Sequence, residues 1–265
     1  MSYRITGTGS CIPDIAKKNS DFLKNKFLDT DGSKFQSSNS EIIDKFNSIT
    51  GICERRYAPD EINCSDLAAV AAGLAINDSK LDQETLDYII VAHNTGDISC
   101  SSGQVDTLPS VASKVKAKLK IKNPNCVAYD IICGCPGWVE GIIQAKSFIK
   151  SGMAEKCLVI GCDTLSRILD ENDRDSMIYA DGSGAIILES DNSYNGGILS
   201  HKSATFTYDG ENDFIFYGAS YDIKKRTKSD QKFIKMQGRK VYEFALKNVP
   251  LAMKSCFDEA DCKIE

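Results

Sequence analysis

The stretch "CVAYDIICGCPGWVEG", residues 126–141, decides how this chain is read. Its first part, CVAYDII (126–132), is a short apolar run rich in β-branched and aromatic side chains, the pattern of a buried strand. Its second part continues as PGWVEGIIQAKSFIKSG (136–152), switches to helical spacing and is stopped by Gly152. Cys135 therefore falls at the turn between strand and helix. Gly134 allows a tight turn there, Pro136 suits a helix start, and Gly137 leaves room for backbone or ligand. Strand, tight turn, nucleophile and helix is also the arrangement that exposes the catalytic serine of many hydrolases. The positive end of a helix dipole favours an anionic group such as a thiolate.

Three chemistries compete for the two sulfurs of CGC. A structural zinc site needs a second pair of ligands, and His93 and His201, the only histidines, lie far off in sequence, so no metal is expected. A redox pair ordinarily uses C-x-x-C spacing. The remaining reading makes Cys135 a single reactive thiol and packs Cys133 as a small hydrophobe at the strand end. The eleven cysteines are odd in number and scattered through apolar segments, which points to reduced thiols rather than a disulfide framework.

Around this centre, RITGTGS (4–10), YIIVAH (88–93), CLVIGC (157–162) and AIILES (185–190) read as strands. SDLAAVAAGLAIND (65–78) and LPSVASKVKAKLK (108–120) read as helices, and the alternation implies an α/β fold around a largely buried sheet. The expected organisation is an α/β half over 1–190, an irregular and basic connection over 191–235, and one helix of an incomplete second half over 236–265. At 265 residues the chain can bury a sizeable core, and its balance of 32 basic against 37 acidic residues, net −5, argues against nucleic acid as a partner. No segment resembles a signal peptide or reaches the ~20 apolar residues of a membrane span, so a cytoplasmic location is expected.

The residues around Cys135 resemble the active-site turn of the β-ketoacyl-acyl-carrier-protein synthase III family, condensing enzymes of the thiolase-like fold. Five further segments resemble the family in the same order: GTGSCIP (7–13), TGICERRY (50–57), IIVAH (89–93), SRILDENDRDSMIYADGSGAIILE (166–189) and MQGRKVYEFAL (236–246). The resemblance implies a thiolase-like α/β fold with its second half truncated, and a transferase in which Cys135 accepts an acyl group from acyl-CoA or a carrier. Condensation with a malonyl-acyl-carrier-protein thioester would follow, in fatty-acid or polyketide-like lipid synthesis, with no cofactor. It further implies that Arg174 contacts the coenzyme, that Leu108 reaches across a homodimer interface toward the partner's acyl pocket, and that an acyl carrier protein docks on the enzyme.

The sequence also departs from the family. The His and Asn that complete the family's site are not placed, because His93 matches a first-half strand and His201 the region before the basic connection. An alternative is therefore a non-condensing acyl-binding or scaffold subunit, and a Cys-His hydrolase is a third. Lys45 and Ile49 stand where acetyl-CoA-type members carry a coenzyme-clamping Trp and Arg, and the loop 94–110 is longer than in the simplest members. Lys224, Lys225, Arg226, Lys228, Lys232, Lys235, Arg239 and Lys240 form a basic run that reads either as a solvated loop or as a surface for an acidic carrier protein.

Overall fold

A computed structural model describes residues 2–194, 196–227 and 230–262. Along the chain run β1 (Tyr3–Cys11), α1 (Asn39–Thr50), α2 (Cys64–Ser79), β2 (Tyr88–His93), α3 (Val111–Lys118) and β3 (Val127–Ile132). They are followed by α4 (Gly137–Ser151), β4 (Lys156–Thr164), β5 (Asp181–Ser190), β6 (Ile215–Gly218), β7 (Phe233–Met236) and α5 (Gly238–Glu259). Every strand and helix expected from the sequence is present. The chain divides into two compact units, one of Met1–Ala16, Arg56–Arg167 and Ala180–Ile198, the other of Lys17–Arg55, Ile168–Tyr179 and Leu199–Glu265. These interleaved stretches do not coincide with the consecutive division at 190 and 235.

The first unit is built on a five-stranded sheet of order β1-β5-β4-β2-β3, in which β5 runs antiparallel to both neighbours and β2 runs parallel to β3 and β4. Alternation along each strand sends side chains to two cores. Ile89, Val91, Leu158, Ile160 and Ile187 face one core together with α2 and α3, whereas Ile90, Val159, Ile186 and Leu188 face the other with Ala145 and Ile149 of α4. The result is an α-β-α sandwich. Helix α2 can lie directly on β1 because Ala68, Ala71, Ala72 and Ala75 are all fully buried small residues. Gly7 and Gly9 complete that contact: a Cβ at either would stand 2.2 Å from a backbone carbonyl of α2, at Ala75 and Ala71 respectively.

Two helix starts show what the sequence spells. At the start of α2 the Asn63 backbone amide donates to the Asp66 carboxylate at 2.9 Å, and the Asn63 carbonyl accepts the Asp66 amide at 3.0 Å. Helix α3 begins at Val111 rather than at Leu108, because the Ser110 hydroxyl accepts the Ser113 amide at 3.1 Å and sets the first turn there. The expectation of a buried strand over CVAYDII holds at Cys126, 1% exposed, but not along the strand: β3 is the outermost strand, paired among the described residues with β2 alone, and Val127 and Ile132 are 47% and 71% exposed.

In the second unit, Phe22, Phe27, Ile42 and Ile43 of the segment carrying α1 pack with Met177 in a small core. Strands β6 and β7 form an antiparallel pair, and no described residue of α5 is buried. Lys235, expected in a basic surface run, is 1% exposed. It donates to Asp170 at 2.7 Å and Asp173 at 3.2 Å and lies 3.5 Å from the Tyr221 ring centre. A buried ammonium survives only with such compensation. Lys225 pairs with Glu171 at 2.6 Å and Arg226 donates to the Thr30 carbonyl at 2.9 Å, so these three of the eight are engaged internally; Lys228 lies outside the described residues.

Because the Gly9 contact is backbone against backbone, Gly9→Ala is expected to destabilise the protein by about 1–3 kcal/mol or more. Gly184→Ala, with nothing within 4 Å of the added methyl, is expected to leave stability within ~0.5 kcal/mol. Urea unfolding midpoints of the two variants check the contrast.

Candidate active site

The turn at Cys135 is set by its glycines and by the seat of α4. Gly134 has φ +63°, a conformation that favours glycine, and its carbonyl accepts the Gly137 amide at 3.0 Å to close the turn. Helix α4 then runs 15 residues to Gly152, whose φ of +77° ends it. Its first turns press on the sheet: a Cβ at Gly137 would lie 3.1 Å from Ala92 Cβ, and one at Gly141 2.9 Å from Val159 Cγ1. Trp138, the single tryptophan, lies over Gly161, where a Cβ would meet its ring atoms at 3.2–3.3 Å.

Cys135 is exposed at the start of this helix, as its nucleophile reading requires. Cys133 is exposed as well, contrary to its expected packing at the strand end. The reason lies in the edge position of β3: the strand opens to solvent at Ile132, and the residue after it follows.

Two half-buried carboxylates brace the neighbouring strand ends. Asp130, on β3, accepts the Val111 and Ala112 amides, each at 2.8 Å, and lies 3.0 Å from His93 Nε2. Burial acts to raise its carboxyl, but the bonds from His93 and the two amides outweigh this and hold it below the usual carboxylate range. Asp163, on β4, accepts the backbone amide and side-chain Nδ2 of Asn94 at 2.9 and 2.6 Å. Burial pushes its carboxyl up, with Asn94 opposing. The Asn94 Oδ1 atom reaches within 3.9 Å of the position a Cβ on Gly134 would take, so this pair abuts the cysteine turn. Sequence reasoning singled out neither Asn94 nor Asp163. The only sequence signal is that each follows an apolar strand core.

Leu108 is 86% exposed, and its loop is tied to the Cys135 strand because α3, three residues on, begins on Asp130. Arg174 belongs to the other compact unit. Its guanidinium stacks 4.5 Å from the Phe35 ring centre, with a long 4.0 Å approach to Asp175. Phe35 also lines a cavity of about 270 Å³ with Asn25, Lys26, Phe27, Lys34, Ser37 and Asn39. Nothing in the residue pattern marks Phe35 as the partner of Arg174. His201 is exposed, and among the described residues no group of three or more His, Cys, Asp or Glu is placed to hold a metal ion. No helix is long and apolar enough to cross a membrane.

Comparison with known proteins places this geometry. Residues 129–206 match the family model for 3-oxoacyl-[acyl-carrier-protein (ACP)] synthase III. The chain is 34% identical, over 97% of its length and 72% of the relative's, to beta-ketoacyl-[acyl-carrier-protein] synthase III 1 of Vibrio vulnificus. Solved structures of 3-oxoacyl-[acyl-carrier-protein] synthase III are similar in fold. That from Aquifex aeolicus has TM-score 0.75 and 28% identity over 99% of this chain and 73% of its own. That from Pseudomonas aeruginosa has TM-score 0.77 and 23% identity over 99% and 72%.

Asp130 ties the cysteine-bearing strand to α3, so Asp130→Asn is expected to cost about 1–3 kcal/mol at pH 7. Its folded carboxyl is depressed, so the contribution is full above the unfolded carboxylate value of about 3.9 and is lost as pH falls through the folded value. Unfolding free energies of wild type and variant, measured from pH 7 downward, are therefore expected to converge in acid.

Proposed function

Since the chain belongs to the 3-oxoacyl-[acyl-carrier-protein] synthase III family of condensing acyltransferases, we propose that Cys135 is the residue that accepts the acyl group. The supporting observation is an exposed thiol at a glycine-shaped turn, directly before a helix of 15 residues. In the proposed step the Cys135 thiolate attacks the thioester carbonyl of acyl-CoA or an acyl carrier. The tetrahedral oxyanion is stabilised by amides of the helix start and collapses with loss of the donor thiol, leaving an acyl-cysteine thioester. Condensation with a malonyl-acyl-carrier-protein thioester, with loss of carbon dioxide, then releases a 3-oxoacyl product and restores the thiol. No cofactor is needed for either step.

Arg174 is proposed to hold the phosphate-bearing end of acyl-CoA, supported by its guanidinium stacked on Phe35 and by Lys26 and Lys34 lining the adjoining cavity. This aromatic partner takes the place of the clamp absent at Lys45 and Ile49. A homodimer formed through the edge of β3 is proposed from the exposure of Leu108 and Ile132 beside that unpaired edge. Docking of acyl carrier protein would rest on Lys224, Lys232, Arg239 and Lys240, since Lys235 is buried. A second reading, acyl acceptance without condensation, is supported by His93, which is buried and held on Asp130.

Incubation with acetyl-CoA or longer acyl-CoA followed by intact-protein mass spectrometry is expected to show one acyl adduct on wild type and none on Cys135→Ala. Equal labelling of the two would remove Cys135 as acceptor. Arg174→Ala is expected to raise the acyl-CoA concentration needed for half-maximal acylation by roughly tenfold, as loss of a charge-assisted phosphate contact implies. Formation of a 3-oxoacyl product from malonyl-acyl-carrier protein separates the condensing reading from the non-condensing one.

Sedimentation equilibrium is expected to give twice the chain mass for wild type, and Leu108→Asp is expected to shift the population toward monomer. A monomeric wild type at micromolar concentration would refute the dimer.

A further inference from the structure

Cys133 is left without a role by the acyl-transfer reading, yet it is exposed and stands one residue from Cys135. The intervening Gly134 is in the left-handed region, φ +63°, and its carbonyl accepts the Gly137 amide at 3.0 Å, so the backbone turns between the two cysteines instead of running on extended. The Cys133 Cβ also lies 3.5 Å from where a Cβ on Gly137 would stand, which places the side chain over the first turn of α4, at the same helix start that carries Cys135. By contrast Cys64, Cys126, Cys157 and Cys162 are buried, and burial pushes the thiols of Cys126 and Cys157 up, the latter to about 12. Those thiols are shielded from an oxidant in solution, whereas the CGC pair is open to it.

We propose that Cys133 is a resolving thiol for Cys135, so that mild oxidation closes a reversible Cys133–Cys135 disulfide. With hydrogen peroxide as oxidant, the Cys135 thiolate attacks one peroxide oxygen, the O–O bond breaks, and a sulfenic acid and hydroxide form. The Cys133 thiolate then attacks the sulfenic sulfur, an S–S bond forms, and hydroxide leaves to be protonated to water. The two sulfurs together lose two electrons to the peroxide. A ring closed across one residue is strained, which makes the bond easily reduced by small dithiols, the behaviour of labile rather than structural disulfides. The sulfenic acid is thereby diverted from irreversible sulfinic and sulfonic acids. This inference does not rest on Cys135 carrying an acyl group: it needs only two accessible thiols at this turn.

The test oxidises the whole chain with hydrogen peroxide, alkylates remaining thiols and maps the tryptic peptide 123–146 by tandem mass spectrometry. Wild type is expected to yield a peptide lighter by two hydrogens with its bond between Cys133 and Cys135, both regaining alkylation after dithiothreitol. In Cys133→Ser, an exposed and isosteric change, the disulfide is expected to be lost, and Cys135 to go on to sulfinic and sulfonic acid under the same dose. Cys135→Ser is expected to lose the disulfide too. Over-oxidation of Cys135 at equal rates in wild type and Cys133→Ser, or a bond from Cys135 to a different cysteine, would overturn the proposal. Circular dichroism of each variant confirms that the comparison is between folded chains.

Discussion

The close seat of α4 on the sheet is the constraint from which the candidate site follows. Gly137 and Gly141 bring the helix so near that a methyl at either would crowd Ala92 or Val159, and Trp138 fills the groove over Gly161. With the helix start pinned against the ends of β2 and β3, the four residues between β3 and α4 have one short path, and the left-handed Gly134 supplies it. Cys135 is exposed at this turn. A larger residue at 137 or 141 would lift the helix and move the cysteine turn with it.

The inner strands were legible because β2, β4 and β5 each carry two alternating sets of apolar residues, one for each core. The ends of α2 and α4 were legible because Asn63 with Asp66, and Gly152, are local signals that act within one turn. What failed was long-range. The apolar run 126–132 says that its side chains avoid water, but not that its outer backbone edge lacks a neighbour, and the burial expected for Cys133 fell with it. Lys235 looked like one more charge in a basic run because its partners, Asp170 and Asp173, stand more than sixty residues earlier.

The same distinction runs through the site. Cys135 could be read from a single contiguous motif, whereas its surroundings come from residues that only the fold assembles. Asn94 and Asp163 meet because β2 and β4 are parallel neighbours whose ends lie side by side. Arg174 was legible as a cation, but the aromatic surface beneath it comes from Phe35, in a segment whose apolar residues otherwise build the small core with Ile42 and Ile43. Lys45 and Ile49 can be read from the sequence one at a time, whereas the stacking of Arg174 on Phe35 is a property of packing.

The hydrogen bonds around β2 and β3 also bear on which chemistry the first unit can perform. A histidine that activates a thiol must present a ring nitrogen to the sulfur while its other nitrogen is oriented by a third group. His93 has the orienting partner, Asp130, but the ring is 1% exposed and its Nδ1 meets no hydrogen-bond partner among the described residues. Asp130 is in turn committed to the first two amides of α3, so moving it toward Cys135 would uncap that helix and strand a buried charge. The His93–Asp130 pair is therefore better suited to joining the strand to α3 than to carrying protons for Cys135. This weighs against His93 as the base of a Cys-His hydrolase and accords with the proposed thioester exchange, which asks of this unit a helix start and a leaving thiol rather than a histidine.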